Sequence, residues 1–312
     1  MLKIVAVDVG YGYTKVTDGK MALSFPSIAP VASSGALSSH VLKPRNTVVV
    51  EVGGERFEVG PDVELALSGQ HARVLTDLFY KTKTYRALVQ GSMALLGYPG
   101  PVDVLVLGLP MSSYGMAKTE LSRLYGDLAE EVLVLPQPLG SYVRHMRQVR
   151  RMDMLALTID VGFLTVDWML ARGLTPVESR SGAYPGGMSV ILKEMARMIG
   201  EDMGRPFGNI TLLDKALRGV DRRLMLHGQS VDLMPYVDRI KPLLSEAMDA
   251  VKSGIGTDED VEWILLTGGA SWLYDAPARQ AFAGHRVDRL EEASMGNVRG
   301  FYEAGVMLSS CD

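Results

Sequence analysis

Apolar positions along the chain gather into short runs that stop abruptly at polar residues. Ile4, Val5, Ala6 and Val7 end at Asp8, and Leu155 to Ile159 end at Asp160. Runs of this length, partly β-branched, predict buried strands. Each is followed by a glycine turn and then by alternating residues, TKVT after the first and TVDWML after the second, which predicts a β-hairpin in both places. Further strands are expected at Val102 to Leu107, ending at Gly108-Leu-Pro, at Glu131 to Leu135, and at Trp263 to Leu266, ending at Thr267-Gly-Gly-Ala. Helical spacing marks Gly60 to Leu96, with a stripe of Tyr85, Leu88, Val89 and Ala94 to Leu96, then Met116 to Glu130, Gly140 to Arg150, Met188 to Ile199 and Asn297 to Leu308. Leu233 to Lys252 reads as a helix broken or started late by Pro235 and Pro242. Strands and helices alternate, so the fold class is α/β.

The two hairpins repeat each other. Asp160, Val161, Gly162, Phe163 and Thr165 follow the order of Asp8, Val9, Gly10, Tyr11 and, one residue later, Thr14, so the chain has two related halves. A glycine at the tip lets the backbone approach a ligand closely and turn N–H groups toward an anion, while the neighbouring aspartate can hold a hydrated cation. Two such tips, facing each other, would grip a metal-phosphate group from both sides. Two common phosphate motifs do not fit. The third glycine of G-x-G-x-x-G would fall at Lys15, and no G-x-x-x-x-G-K-[ST] can be written.

Composition narrows the partners. The 312 residues are 47% hydrophobic, enough for one large or two ordinary cores. A net charge of −4 with interleaved signs gives no general attraction to nucleic acid. The single cysteine, Cys311, excludes disulfide frameworks and cysteine-based metal sites and fits the cytoplasm. The first apolar run is too short for a signal peptide, and Gln90, Pro99, Pro101 and Asp103 interrupt the most apolar region before it could span a membrane. The eighteen methionines scatter as core filler, and the histidines at 40, 71, 145, 227 and 285 show no metal spacing.

Five stretches stand in a telling order: Asp8 to Lys15, Gly108-Leu-Pro, Asp160 to Asp167, Thr267-Gly-Gly-Ala and Asn297-Val-Arg-Gly-Phe-Tyr-Glu-Ala-Gly. Together they resemble the actin-like ATPases, a superfamily shared with sugar kinases and the large heat-shock chaperones. DVGYGYTK, FPSIAP at 25 to 30, SGAYPGGM at 181 to 188 and NVRGFYEAG bring the likeness nearest to the plasmid-segregation actins of the ParM/StbA type. The resemblance implies two related RNase H-like domains around a nucleotide cleft, one of residues 1–144 plus 297–312 and the other of 145–296. It implies that Asp8 and Asp160 hold the hydrated magnesium of ATP or GTP. Gly10, Tyr11, Gly12, Gly162 and Phe163 would offer backbone N–H groups to the phosphates, Thr14 and Thr165 hydroxyls, and Lys15 its ammonium on the side away from the metal. Gly268, Gly269 and Ala270 would let the chain lie flat against adenine and ribose.

For hydrolysis the superfamily places a Gln or Glu at the start of the helix before the domain crossing, which makes Gln137 the expected water-orienting residue, flanked by Pro136 and Pro138. The implied function is an ATPase that assembles head to tail into filaments and loosens after hydrolysis, with itself as partner and a DNA-binding adaptor on a plasmid as a second one. A small-molecule kinase of the same fold is the alternative. Arg144, Arg147 and Arg151 fall on one helical face, which is either solvated or a filament or adaptor contact.

Overall fold

The computed structural model describes residues 2–32, 45–67, 76, 78–151 and 153–309. The first half holds β1 (Ile4–Val9), β2 (Tyr13–Thr17), β3 (Ala22–Pro26), β4 (Val48–Val52), β5 (Glu55–Val59), α1 (Lys83–Leu95), β6 (Val102–Leu109), α2 (Met111–Leu124), β7 (Ala129–Pro136) and α3 (Gln137–Val149). The second holds β8 (Leu155–Val161), β9 (Val166–Arg172), β10 (Thr175–Pro176), β11 (Gly182–Tyr184), α4 (Met188–Asp202), α5 (Ile210–Arg218), β12 (Arg223–Leu226), β13 (Gln229–Asp232), α6 (Met234–Arg239), α7 (Lys241–Ile255), β14 (Trp263–Thr267), α8 (Ser271–Ala281), β15 (Val287–Arg289) and α9 (Gly296–Ser309).

Two sheets share one plan. In the order β3-β2-β1-β6-β7, the first three strands are antiparallel and the last three parallel; β10-β9-β8-β14-β15 repeats this, with β11 added to β9. Strands β1, β8 and β14 are buried along their whole length, which is why they read as unbroken apolar runs.

The helices that follow the last strand of each sheet cross between the sheets. Helix α3 continues from β7 of the first sheet, yet its Tyr142, Val143 and Met146 pack with Ala156, Met169 and Trp263 of the second. Helix α9 follows β15 of the second sheet, yet its Val298 and Phe301 pack on Ile4, Ala6, Val104 and Val106 of the first. Where they meet, a Cβ on Gly300 would stand 1.7 Å from the carbonyl oxygen of Gly140, so only glycine allows this approach. Phe301 is fully buried beside the crossing, and its truncation to alanine would cost about 3–5 kcal/mol. Arg144 and Arg147 both reach Glu303 of α9, at 2.6 and 3.6 Å, so two of the three arginines of the predicted basic face tie the crossing together.

Several elements differ from the sequence expectation. Helix α1 starts only at Lys83, where Thr82 caps it by accepting from the Tyr85 N–H; 3-10 turns at Val63–Ala66 and Phe79–Lys81 precede it, and residues 68–75 and 77 lie outside the described residues, as do His40, His71 and Cys311. Helix α2 runs five residues earlier than predicted at its start, Met111, and β7 takes over from Ala129. The apolar pattern does not predict the β4–β5 hairpin, α5, the β12–β13 hairpin or α8. Pro242 sits in the first turn of α7, where its missing N–H costs nothing, so the expected break falls between α6 and α7.

Candidate functional site

Strand register decides what meets at each hairpin. In the first, Asp8 pairs with Lys15 across β1 and β2, and the Lys15 ammonium lies 3.2 Å from the Asp8 carboxylate. In the second, the same register sets Asp160 opposite Asp167 across β8 and β9. The turns close alike: the Gly10 N–H donates to the Tyr13 carbonyl at 3.2 Å, and the Gly162 N–H to that of Thr165 at 2.9 Å. Structurally, then, Tyr13 matches Thr165, Thr14 matches Val166, and Lys15 matches Asp167.

Each aspartate is met by an amide from the first turn of a crossing helix. Gln137, the first residue of α3, donates from Nε2 to Asp8 Oδ1 at 2.7 Å, and Asn297 at the start of α9 donates from Nδ2 to Asp160 Oδ2 at 2.6 Å. Pro138 does not stop α3. It occupies the first turn, whose N–H groups have no partner within the helix in any case.

These parts line one cavity of about 240 Å³. Asp8, Gly10, Tyr11, Gly12, Lys15, Gln137, Asp160, Gly162, Phe163, Thr165, Gly268 and Gly269 all face it. The hairpin tips approach each other there, since a Cβ on Gly12 would lie 3.2 Å from the Phe163 ring. Over the cavity, the Arg218 guanidinium, held by Asp214 at 2.9 Å, lies 4.7 Å from the Tyr13 ring centre, and Lys215 of α5 pairs with Glu64 of the other half.

Seven of the expected residues stand in surroundings that bear on the roles implied for them. Thr14 and Ala270 do not face the cavity; Thr14 is buried and shares a 2.9 Å hydrogen bond with Ser27, while Ala270 is buried at the start of α8. The N–H groups of Gly10 and Gly162 are spent inside their own turns, so these glycines supply close approach and no donor. Thr165 does face the cavity, but its hydroxyl donates to Asp167 at 2.5 Å. Gly268, at φ +89°, must be glycine on the protein's own account, because a Cβ would meet the Val161 carbonyl at 2.4 Å and the Asp160 carboxylate at 2.6 Å. Lys15, implied to contact phosphate on the side away from the metal, donates to Asp8 Oδ2 at 3.2 Å.

Sequence reasoning missed Asp167, Asn297 and Arg218. Asp167 is buried between the Thr165 hydroxyl and the Met111 N–H, which donates to it at 3.1 Å. Burial, reinforced by the charge of Asp160, pushes its carboxyl up to about 7. Burial likewise raises Asp160, to about 6, against the hydrogen bond from Asn297. The signal for Asp167 was its seven-residue spacing from Asp160, equal to that of Lys15 from Asp8. For Asn297 it was its place at a helix start matching Gln137.

Among the described residues no three His, Cys, Asp or Glu side chains converge as a metal cage. Two buried carboxylates opening on a cavity suit a hydrated magnesium ion, which keeps most of its waters and takes further oxygens from a bound phosphate. The donor set therefore fits that metal.

Residues 6–140 match the family described as the actin like proteins N terminal domain. No curated protein matches the chain. Among solved structures, Ta0583, an archaeal actin homolog, superposes with a TM-score of 0.79 at 18% identity, covering 99% of this chain and 100% of its own. The same archaeal protein in complex with ADP gives 0.76 at 18% identity, over 98% and 100%. A subunit of a 15-stranded ParM filament from Clostridium botulinum gives 0.74 at 17% identity, over 98% and 100%. The fold is thus actin-like from end to end.

Proposed function

We propose that this chain, actin-like in fold and in its N-terminal domain, binds a magnesium-nucleoside triphosphate, ATP or GTP, in the cleft between its two hairpins, hydrolyses it, and uses it to control assembly into filaments. The convergence of both hairpin tips and both helix-start amides on one cavity carries the reading. Support comes also from the ADP bound by the archaeal structural neighbour and the filament formed by the Clostridium botulinum one.

Within that reading each residue has a task. Magnesium, when bound, neutralises charge on the phosphates. Asp8 and Asp160, which line the same cavity, would hold its water shell. Lys15 moves from Asp8 onto a phosphate oxygen, exchanging one anionic partner for another at little desolvation cost. Tyr11, Gly12 and Phe163 shape the tips against the phosphate chain, and Gly269 faces Arg218 where the rest of the nucleotide would lie. Gln137 keeps its amide nitrogen on Asp8, leaving Oε1 to accept from a water in line with the terminal phosphate. A glutamine orients water without deprotonating it, so turnover is slow. Because each half contributes a hairpin, a bound triphosphate favours the closed arrangement, and subunits in that arrangement add head to tail. Pushing or pairing plasmid copies through a DNA-binding adaptor, in the cytoplasm, is the use this assembly suits.

The test is high-speed pelleting and negative-stain microscopy with ATP, GTP, ADP or no nucleotide, each with and without magnesium. Filaments above a critical concentration only with triphosphate and magnesium are the expected result. Hydrolysis strongly stimulated by a hexose, with no polymer at any concentration, would overturn it in favour of a kinase.

A further inference from the structure

The match between Gln137 and Asn297 is closer than a shared hydrogen-bond type. Helix α3 begins on the aspartate of the first sheet and packs its body on the second; α9 begins on the aspartate of the second sheet and packs its body on the first. Each amide thus stands where one half's carboxylate meets a helix anchored in the other half.

The Asn297 amide is also locked. Its oxygen accepts from the Ser141 hydroxyl of α3 at 2.6 Å, so its nitrogen must face Asp160, and Ser141 in turn lies 2.7 Å from the Thr267 hydroxyl just before Gly268. All four side chains are buried. With Oδ2 of Asp160 engaged by the amide, Oδ1 is the oxygen left for the water shell of a metal.

We propose that Asn297 is a positioning residue for Asp160: it fixes which carboxylate oxygen serves the hydrated magnesium and ties that carboxylate to the α3–α9 crossing. The inference rests on the metal-nucleotide reading of the cleft. Carboxylates that hold a metal need hydrogen bonds of their own to hold them, and losing such a partner commonly lowers metal affinity by about 10- to 100-fold. Any rotation of the halves about the Gly140–Gly300 contact carries Asn297 with α9 and Asp160 with β8, so the carboxylate is correctly set only in one arrangement of the halves.

The experiment titrates magnesium into the full chain saturated with a fluorescent ATP analogue and compares wild type with Asn297→Ala, Asn297→Asp and Ser141→Ala. Ser141 touches neither cavity nor carboxylate. The magnesium midpoint should rise about tenfold or more in both Asn297 variants and severalfold in Ser141→Ala. Affinity for the analogue in excess chelator should stay within about twofold of wild type, which loss of packing alone would not achieve. Unshifted midpoints in folded Asn297 variants overturn the proposal; should those variants fail to fold, an unshifted midpoint in Ser141→Ala overturns it. A wild type without magnesium-dependent nucleotide binding would instead sink the reading of the cleft itself.

Discussion

Seven residues beyond its aspartate the first hairpin carries Lys15, and seven beyond its own the second carries Asp167, in the same register and with the same turn hydrogen bond at the tip. The first pair is neutral as it stands. The second sets two buried carboxyls side by side, raised to about 6 and about 7 by burial and by neighbouring carboxylate charge. One backbone therefore presents a compensated acid on one wall of the cleft and an uncompensated pair on the other. On the proposed reading a metal cation relieves the second wall, and once it also neutralises Asp8 the Lys15 ammonium is released toward phosphate.

The largest expected effect tests that division directly. Asp160→Ala should remove magnesium-dependent nucleotide binding and, with it, nucleotide-dependent assembly. Asp8→Ala should also lose metal dependence, but it releases Lys15, so binding measured in excess chelator should hold or rise. Equal behaviour of the two variants in chelator, read by fluorescent-nucleotide titration, would break the asymmetry.

Next in size comes Gln137→Ala. Nucleotide binding and assembly should persist while phosphate release slows about ten- to a thousandfold, a loss of a few kcal/mol in the transition state. Filaments followed by light scattering should outlast those of wild type. Unchanged hydrolysis would leave Gln137 as no more than a partner of Asp8.

Asp167→Asn should change the ligand-free protein by less, and with a definite sign. Folded carboxyls raised above their unfolded range near 4 bind protons that the unfolded chain has released, so their contribution to stability is full below about pH 4 and lost as pH rises through 6 and 7. Without ligand, the melting temperature should fall across that window. Asp167→Asn removes the upper titration and should raise the melting temperature at pH 8 by roughly 3–8 °C. Calorimetry at pH 5 and pH 8 measures both; a fall with pH as steep in the variant as in wild type would contradict the buried like-charge pair.

How much of this was legible in the chain follows from what each element needs. Strands β1, β8 and β14 declared themselves because burial on both faces favours apolar runs, and Asp8 and Asp160 stand out as charges near the ends of the first two. Helical spacing shows α3 only from Gly140, but the helix starts at Gln137, since a proline in the first turn is harmless. Asp167 stood inside an alternating stretch that explained itself as a strand, and only the pairing of β8 with β9 turns it toward Asp160. Asn297 and Arg218 act through residues more than a hundred positions or a whole element away, contacts that no local pattern encodes.

The smallest effect settles which alignment of the hairpins is physical. Written as sequence, Thr14 and Thr165 look equivalent; by strand register Thr14 matches Val166, and both are fully buried. Thr14→Val should therefore leave nucleotide binding untouched and cost only about 1 kcal/mol, since Ser27 keeps its 2.5 Å hydrogen bond to the Gly10 carbonyl and is not stranded. Thr165→Val has nearly the same shape change and a different consequence. It withdraws the hydroxyl that stabilises the charged form of Asp167, so that carboxyl should titrate still higher and the pH at which magnesium-nucleotide binding reaches half its maximum should move up with it. Binding curves from pH 6 to 9 on the two variants compare them directly. An upward shift in Thr165→Val alone upholds the register; the same shift in both would restore the equivalence suggested by sequence and undo the pairing of Lys15 with Asp167 on which the contrast of the two walls depends.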